Sequence, residues 1–92
     1  MFLYVLFHLR AVEKSHEVQI KQFGARIKKL RAAALLSQQE LADRSEIDIR
    51  TVQRIEKGEY GVGLHNLFAL AAALCVKPED LLKGIKVKDW SN

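Results

Sequence analysis

The run Gln38-Gln39-Glu40-Leu41-Ala42-Asp43-Arg44-Ser45-Glu46-Ile47-Asp48-Ile49-Arg50-Thr51-Val52-Gln53-Arg54-Ile55 decides how the chain folds. It reads as two short helices joined by a tight turn. Ser37 precedes the first, with Glu40 three residues on. That is the capping-box arrangement, in which each side chain satisfies an orphan amide at the helix start. Asp48 opens the second as an N-cap, and its carboxylate faces the positive end of the helix dipole. Leu41, Ala42, Ile47, Val52 and Ile55 form the inward set. The small Ala42 lets the second helix cross close over the first.

On a helical wheel, Val52 and Ile55 mark the buried side of the second helix, and Arg50, Gln53, Arg54 and Lys57 fall opposite. That outer face carries three cations, one amide and no acid. A merely solvated face mixes signs, so this one suits an anionic partner. The donors also suit bases: arginine grips guanine O6 and N7 with two bonds, and glutamine does the same to adenine.

The likeness to a known family extends well beyond this stretch. Arg31, then Ser37-Gln38-Gln39-Glu40-Leu41-Ala42, then Arg54-Ile55-Glu56-Lys57-Gly58-Glu59 stand in register with Leu67-Phe68-Ala69-Leu70-Ala71-Ala72-Ala73-Leu74 and Pro78-Glu79-Asp80-Leu81-Leu82. Together they resemble the helix-turn-helix domain of the phage-repressor/Cro (XRE) family across residues 20 to 83. The resemblance implies an all-α, five-helix lambda-repressor-like fold and a dimeric regulator of transcription that binds double-stranded DNA. The helix 49–57 would enter the major groove. Arg50, Arg54, Ile49 and Gln53 would face base edges, with Ile49 offering apolar contact to a thymine methyl. Gln38 and Thr51 are placed for phosphates, because the N-terminal amides of their helices point at the backbone. Lys57 and Lys28 or Lys29 would add charge there, and Tyr60 either donates to a phosphate or packs. In the family an arginine at the place of Arg31 pairs with the glutamate at the place of Glu56, which predicts an Arg31–Glu56 ion pair.

Three positions depart from the family pattern. Leu35 stands where a glycine commonly ends the first helix, so the left-handed cap is expected to be absent. Glu46 stands where the inter-helix turn often uses glycine, and Cys75 replaces another. A left-handed Glu46 would cost roughly 1–2 kcal/mol.

Length allows one domain with a modest core: 92 residues, nearly half of them hydrophobic, with a single proline. The net charge of +4 is unevenly placed. Residues 21 to 57 hold nine Lys/Arg against five acids, whereas residues 58 to 83 hold two against three. The positive charge therefore sits on the half with the proposed reading helix, as a nucleic-acid footprint requires. The lone Cys75 forms no internal disulfide, fits a reducing cytoplasm, and reads as a small buried hydrophobe near a helix end. No apolar run approaches the ~20 residues of a membrane span.

The first domain helix is expected over Val18 to Leu35, with Phe23, Ile27, Leu30 and Ala34 as one buried stripe. Gly24 costs up to ~1 kcal/mol of helix propensity there and suits close packing. A fourth helix over Leu64 to Val76 should bury Leu64, Leu67, Phe68, Ala71 and Leu74, leaving Leu70, Ala72 and Ala73 to meet a second subunit. A fifth starts at Pro78, with Leu81 and Leu82 closing the core. The tail 84–92 alternates apolar and charged residues, which suits a short strand or an ordered arm. Residues 1–19 begin with the apolar run Met1-Phe2-Leu3-Tyr4-Val5-Leu6-Phe7 and lack the features of a secretory signal. Three readings stay open for them: an extra strand or helix on the domain or across a dimer, a protein-binding arm, or an extension from a misplaced translation start.

His8, His16 and His65 have no metal-ligand spacing with one another or with Cys75, no nucleophile–base–acid set is present, and no phosphate loop follows Gly58, Gly61 or Gly63. Neither enzyme, metal nor cofactor is expected. The reading is a cytoplasmic DNA-binding regulator, with repression the expected sense; a controller of restriction–modification genes falls within it. Two rivals are an antitoxin that uses residues 1–19 against a toxin, and a protein-interaction module that has lost DNA binding.

Overall fold

The structure, a computed structural model, describes the backbone of residues 2–87 and the side chains of residues 16–87. Among them are four α-helices, α1 (Phe2–Ala33), α2 (Gln38–Ser45), α3 (Ile49–Lys57) and α4 (Leu64–Leu74), and a 3₁₀ turn at Pro78–Leu82. The all-α class is as expected, but the fifth helix is corrected to this single 3₁₀ element. Its bonds are short-range: Asp80 N–H donates to Lys77 O at 2.9 Å and Lys83 N–H to Asp80 O at 3.4 Å. With only five residues, opened by Pro78, the segment never gains the i to i−4 ladder.

The first helix begins at Phe2, far upstream of Val18, and runs unbroken to Ala33. The strand reading of the N-terminal segment is corrected accordingly. Ile85–Val87 have no regular structure, and the rest of the expected strand or arm, Lys88–Asn92, lies outside the described residues. No described helix is long and apolar enough to cross a membrane.

α1 lies against α3 and the 3₁₀ turn, while α2 packs on α3 and α4. The core between them is built from Phe23 and Ile27 of α1, Leu41 and Ala42 of α2, Ile47 of the turn, Val52 and Ile55 of α3, Leu70, Ala71, Ala73 and Leu74 of α4, with Leu36 and Leu81. Leu30 is partly buried against it, whereas Ala34 lies past the helix end and is exposed. Gly24 is where α1 crosses the end of α3. A Cβ there would collide with the Ile55 carbonyl oxygen and reach 3.0 Å from that of Glu56. Only a residue with no side chain permits this approach, which offsets its low helix propensity. Farther along α1, Arg26 Nε donates to Asp80 O at 3.0 Å and fastens the 3₁₀ turn to the helix.

Every α-helix ends on a left-handed residue: Leu35 (φ 61°), Glu46 (φ 58°), Gly58 (φ 75°) and Cys75 (φ 58°). The expected absence of a left-handed cap at Leu35 is therefore wrong. The Leu36 N–H reaches Arg31 O at 3.1 Å and the Leu35 N–H reaches Ala32 O at 3.0 Å. These are the two bonds of a Schellman turn, and they recur at Cys75 and Val76. Burial of the next residue supplies the reason: Leu36 is in the core and Val76 packs against it, which holds the preceding residue left-handed even without glycine.

On α4 the buried face is rotated from expectation. Leu70 and Ala73 are core, whereas Leu64 is 69% and Phe68 53% exposed. Cys75 is exposed, not buried, because it occupies the left-handed cap. Leu81 is fully buried, but Leu82 is half exposed.

Candidate nucleic-acid interface

Local sequence chemistry starts the α2–turn–α3 unit. The Glu40 N–H donates to Ser37 Oγ at 3.0 Å and the Ser37 N–H donates to Glu40 Oε1 at 2.9 Å, which completes the capping box. These bonds hold the Glu40 carboxyl below its ordinary range: the Ser37 amide contributes most, then its hydroxyl, with Arg44 adding a smaller electrostatic pull. At the other end of α2, Ser45 Oγ is buried and donates to Leu41 O at 2.7 Å. The chain then turns through Glu46, and the Ile47 N–H donates back to Ala42 O at 3.1 Å. Asp48 stands at the N-cap of α3, but its side chain makes no capping bond, contrary to expectation. The carboxylate acts there only through its charge near the helix start.

The far end of α3 is held by a three-residue polar cluster. Arg31 donates from Nε to Glu56 Oε2 at 2.7 Å and from Nη2 to Glu56 Oε1 at 3.0 Å. Its remaining Nη1 donates to Leu36 O at 2.8 Å, at the turn that leads into α2. Gln38 Nε2 of α2 donates to Glu56 Oε1 at 3.0 Å. One carboxylate therefore joins α1, α2 and α3. The Glu56 side chain is 3% exposed and that of Arg31 14%. Hydrogen bonding to Glu56 raises the Arg31 pKa further above its ordinary value, against the opposing effect of burial.

This cluster has an electrostatic consequence. Glu56 is the only acid on α3, and it is turned inward and neutralised. What α3 presents to solvent is Arg50, Gln53, Arg54 and Lys57, all exposed, while Val52 and Ile55 are fully buried beneath them. Gly58 ends the helix, and a Cβ there would come within 2.8 Å of the Lys21 Cα, so α1 also closes over this end.

The remaining residues singled out in the sequence fall into two groups. Lys28 and Lys29 on α1 are exposed, and so is Tyr60, in the loop after α3. Ile49, Thr51 and Gln38 are only partly exposed: Ile49 packs against the core, and Gln38 has one amide hydrogen engaged by Glu56. Sequence reasoning missed the Gln38–Glu56 bond and the Leu36 carbonyl that receives Arg31. Neither leaves a local spacing signal. Among the described residues no group of histidine, cysteine, aspartate and glutamate is arranged to hold a metal ion.

Residues 27–81, more than half of the chain, match the family model described as helix-turn-helix. Among solved structures, the restriction-modification controller protein C.AhdI from Aeromonas hydrophila is similar, at 39% sequence identity and a TM-score of 0.68. The alignment covers 70% of this chain and 97% of that one. A search of curated proteins gives no match.

Proposed function

This chain belongs to the helix-turn-helix family of the phage-repressor/Cro (XRE) type, and from that premise we propose that it regulates transcription as a homodimer with α3 in the major groove. That it is a sequence-specific DNA-binding regulator follows from the family and its neighbour. The observation that carries the groove assignment is the acid-free outer face of α3, with Arg50, Gln53, Arg54 and Lys57 exposed above buried Val52 and Ile55. Arg50, Gln53 and Arg54 are the base readers, and Ile49 adds an apolar edge with its uncovered part. Thr51, Lys57, Lys28, Lys29, Tyr60 and the second amide hydrogen of Gln38 serve phosphates. The protein acts by binding and carries out no reaction.

A single α3 reads too few bases to define one genomic site, so two copies on half-sites one helical turn apart are needed. The exposed side of α4 supports this. Leu64, Phe68, Ala72 and Cys75 are all exposed and fall within an arc of roughly 80° on the helix. A contiguous apolar strip suits a partner surface better than water, and the second copy is the occupant we assign. DNA as ligand and the free thiol of Cys75 favour the cytoplasm. The likeness to C.AhdI supports the narrower reading of a controller of restriction–modification genes.

Selection from a random duplex pool, followed by titration of the enriched duplex at two salt concentrations, tests the whole reading. A two-fold symmetric site with a steep loss of affinity at higher salt is expected. Failure to enrich any sequence overturns it. Co-purification of a small protein held by the apolar Met1–Phe7 run would then point to the antitoxin reading.

A further inference from the structure

Glu56 does more than pair with Arg31. Its Oε2 accepts from Arg31 Nε at 2.7 Å and its Oε1 from Arg31 Nη2 at 3.0 Å, and Oε1 takes a second donor, Gln38 Nε2, also at 3.0 Å. Arg31 and Gln38 together fill both lone pairs of Oε1. An ionised carboxylate only accepts hydrogen bonds, whereas a primary amide has a donating end and an accepting end. The reversed amide would set the Gln38 carbonyl against a carboxylate oxygen, two acceptors in contact. The chemistry of Glu56 therefore fixes which way the Gln38 amide faces. It also holds the side chain in place: Glu56 is 3% exposed there, so water competes little for the bond. The neighbouring Gln39 gives the contrast. Its Nε2 reaches Asp43 Oδ1 at 2.8 Å, but in the open and within one helix, where solvent exchanges freely with such a contact.

We propose that Glu56 is a positioning residue for DNA: it touches no phosphate, and acts by holding Gln38 with its second amide hydrogen already turned outward as a donor. The inference rests on the reading of Gln38 as a phosphate contact. Gln38 is the first residue of α2, directly after the Ser37 N-cap, where the start of the helix favours an anion. A glutamine side chain left free would have to be ordered on binding, which weakens affinity by roughly two- to tenfold. Here the ordering is done before DNA arrives, by a residue of α3. The same arrangement accounts for a buried acid on a helix whose outer face carries Arg50, Arg54 and Lys57. Neutralised by Arg31, Glu56 does not repel phosphates, and its remaining acceptor site presents a donor to them. Arg31 Nη1 completes the frame by holding the Leu36 carbonyl, two residues before Gln38, at 2.8 Å.

On the selected operator, a double-mutant cycle separates positioning from mere support of the fold. Gln38→Met removes the donor at similar side-chain length and should weaken binding by about ten- to hundredfold. The loss should fall on all sequences alike and leave the salt slope unchanged, because the missing group is uncharged. In the background Arg31→Met with Glu56→Met, Gln38 has lost its anchor, and Gln38→Met should cost about two- to tenfold less. Losses of equal size in both backgrounds overturn the proposal, as does wild-type affinity in Gln38→Met. Nitrogen-15 relaxation of the side-chain amides of the wild type, without DNA, gives a second readout that needs no variant to fold. Gln38 Nε2 should be nearly as rigid as the backbone, and the amide of the exposed Gln53 much more mobile. Equal mobility of the two overturns the proposal. An operator bound with equal losses defeats this inference alone, whereas failure to enrich any duplex defeats the DNA-binding reading and this inference with it.

Discussion

Arg31 and Glu56, 25 residues apart, meet in a two-point guanidinium–carboxylate contact that ties α1 to the end of α3. Such a pair is weak evidence for net stability, since the desolvation of both groups opposes their attraction. Its value here is positional, and the two roles separate by experiment. Arg31→Met leaves the carboxylate of Glu56 nearly buried with only Gln38 as a side-chain donor, and should cost about 3–5 kcal/mol. Arg31→Met combined with Glu56→Met removes both charges and should recover most of that loss. Urea unfolding of the three proteins checks this. A double variant no more stable than Arg31→Met would show that the pair contributes stability in its own right.

Arg54 and Lys57 lie on the same exposed face of α3 but are assigned different work. On the selected operator, Arg54→Ala should cost about 1–3 kcal/mol and relax preference at one base position. Lys57→Ala should weaken binding to all sequences alike and lower the salt slope by about one. Both side chains are exposed, so neither change should move the thermal midpoint appreciably. Unchanged operator affinity in Arg54→Ala would remove that residue from the base-reading set.

What the sequence revealed depended on the range of the interaction. The Ser37–Glu40 box is legible because its partners are three residues apart and the residue types are diagnostic. The Arg31–Glu56 pair has no local signature and was accessible only through family resemblance. α4 misled for a different reason. Leu64-His65-Asn66-Leu67-Phe68-Ala69-Leu70-Ala71-Ala72-Ala73-Leu74 is apolar nearly all round, so its wheel has no polar side to fix the rotation. Packing decided instead, burying Leu70 and Ala73 and exposing Leu64 and Phe68. The exposed face of α3, with Arg50, Gln53, Arg54 and Lys57, was legible because that helix has two sharply different faces. Gln38 was legible as a residue near the DNA side, but not as a partner of Glu56.

Three left-handed helix ends without glycine offer a direct gain in stability. Leu35, Glu46 and Cys75 all have φ near +60° and exposed side chains, so glycine would remove strain with little loss of packing. The strain is about 1–2 kcal/mol per residue, offset by roughly 0.5–1 kcal/mol of extra backbone entropy in the unfolded chain. Each of Leu35→Gly, Glu46→Gly and Cys75→Gly should therefore stabilise by up to about 1 kcal/mol, or about 4–8 °C in thermal midpoint for a domain of this size. The sites are far apart in sequence and share no partners, so the triple variant should approach the sum. A midpoint that falls in all three would mean that their side chains make contacts worth more than the strain.

Glu40 gives the fold a defined acid limb. Its carboxyl is held below the ordinary range by the Ser37 amide and hydroxyl, so its stabilising contribution is complete above the unfolded-state pKa of about 4.3 and is lost as pH falls through the lower folded-state value. The sign follows from proton binding: between those two values the unfolded chain holds the proton that the folded one does not, and stability rises with pH. Glu40→Gln keeps a side chain able to accept the Ser37 amide but cannot ionise. Wild type should therefore be more stable than Glu40→Gln at neutral pH, and the two unfolding curves should converge in acid. Carboxyl carbon shifts followed by NMR should place the Glu40 midpoint below that of an unstructured glutamate. A gap between the two proteins that stays constant down to the acid extreme would show that charge at Glu40 contributes nothing to the cap.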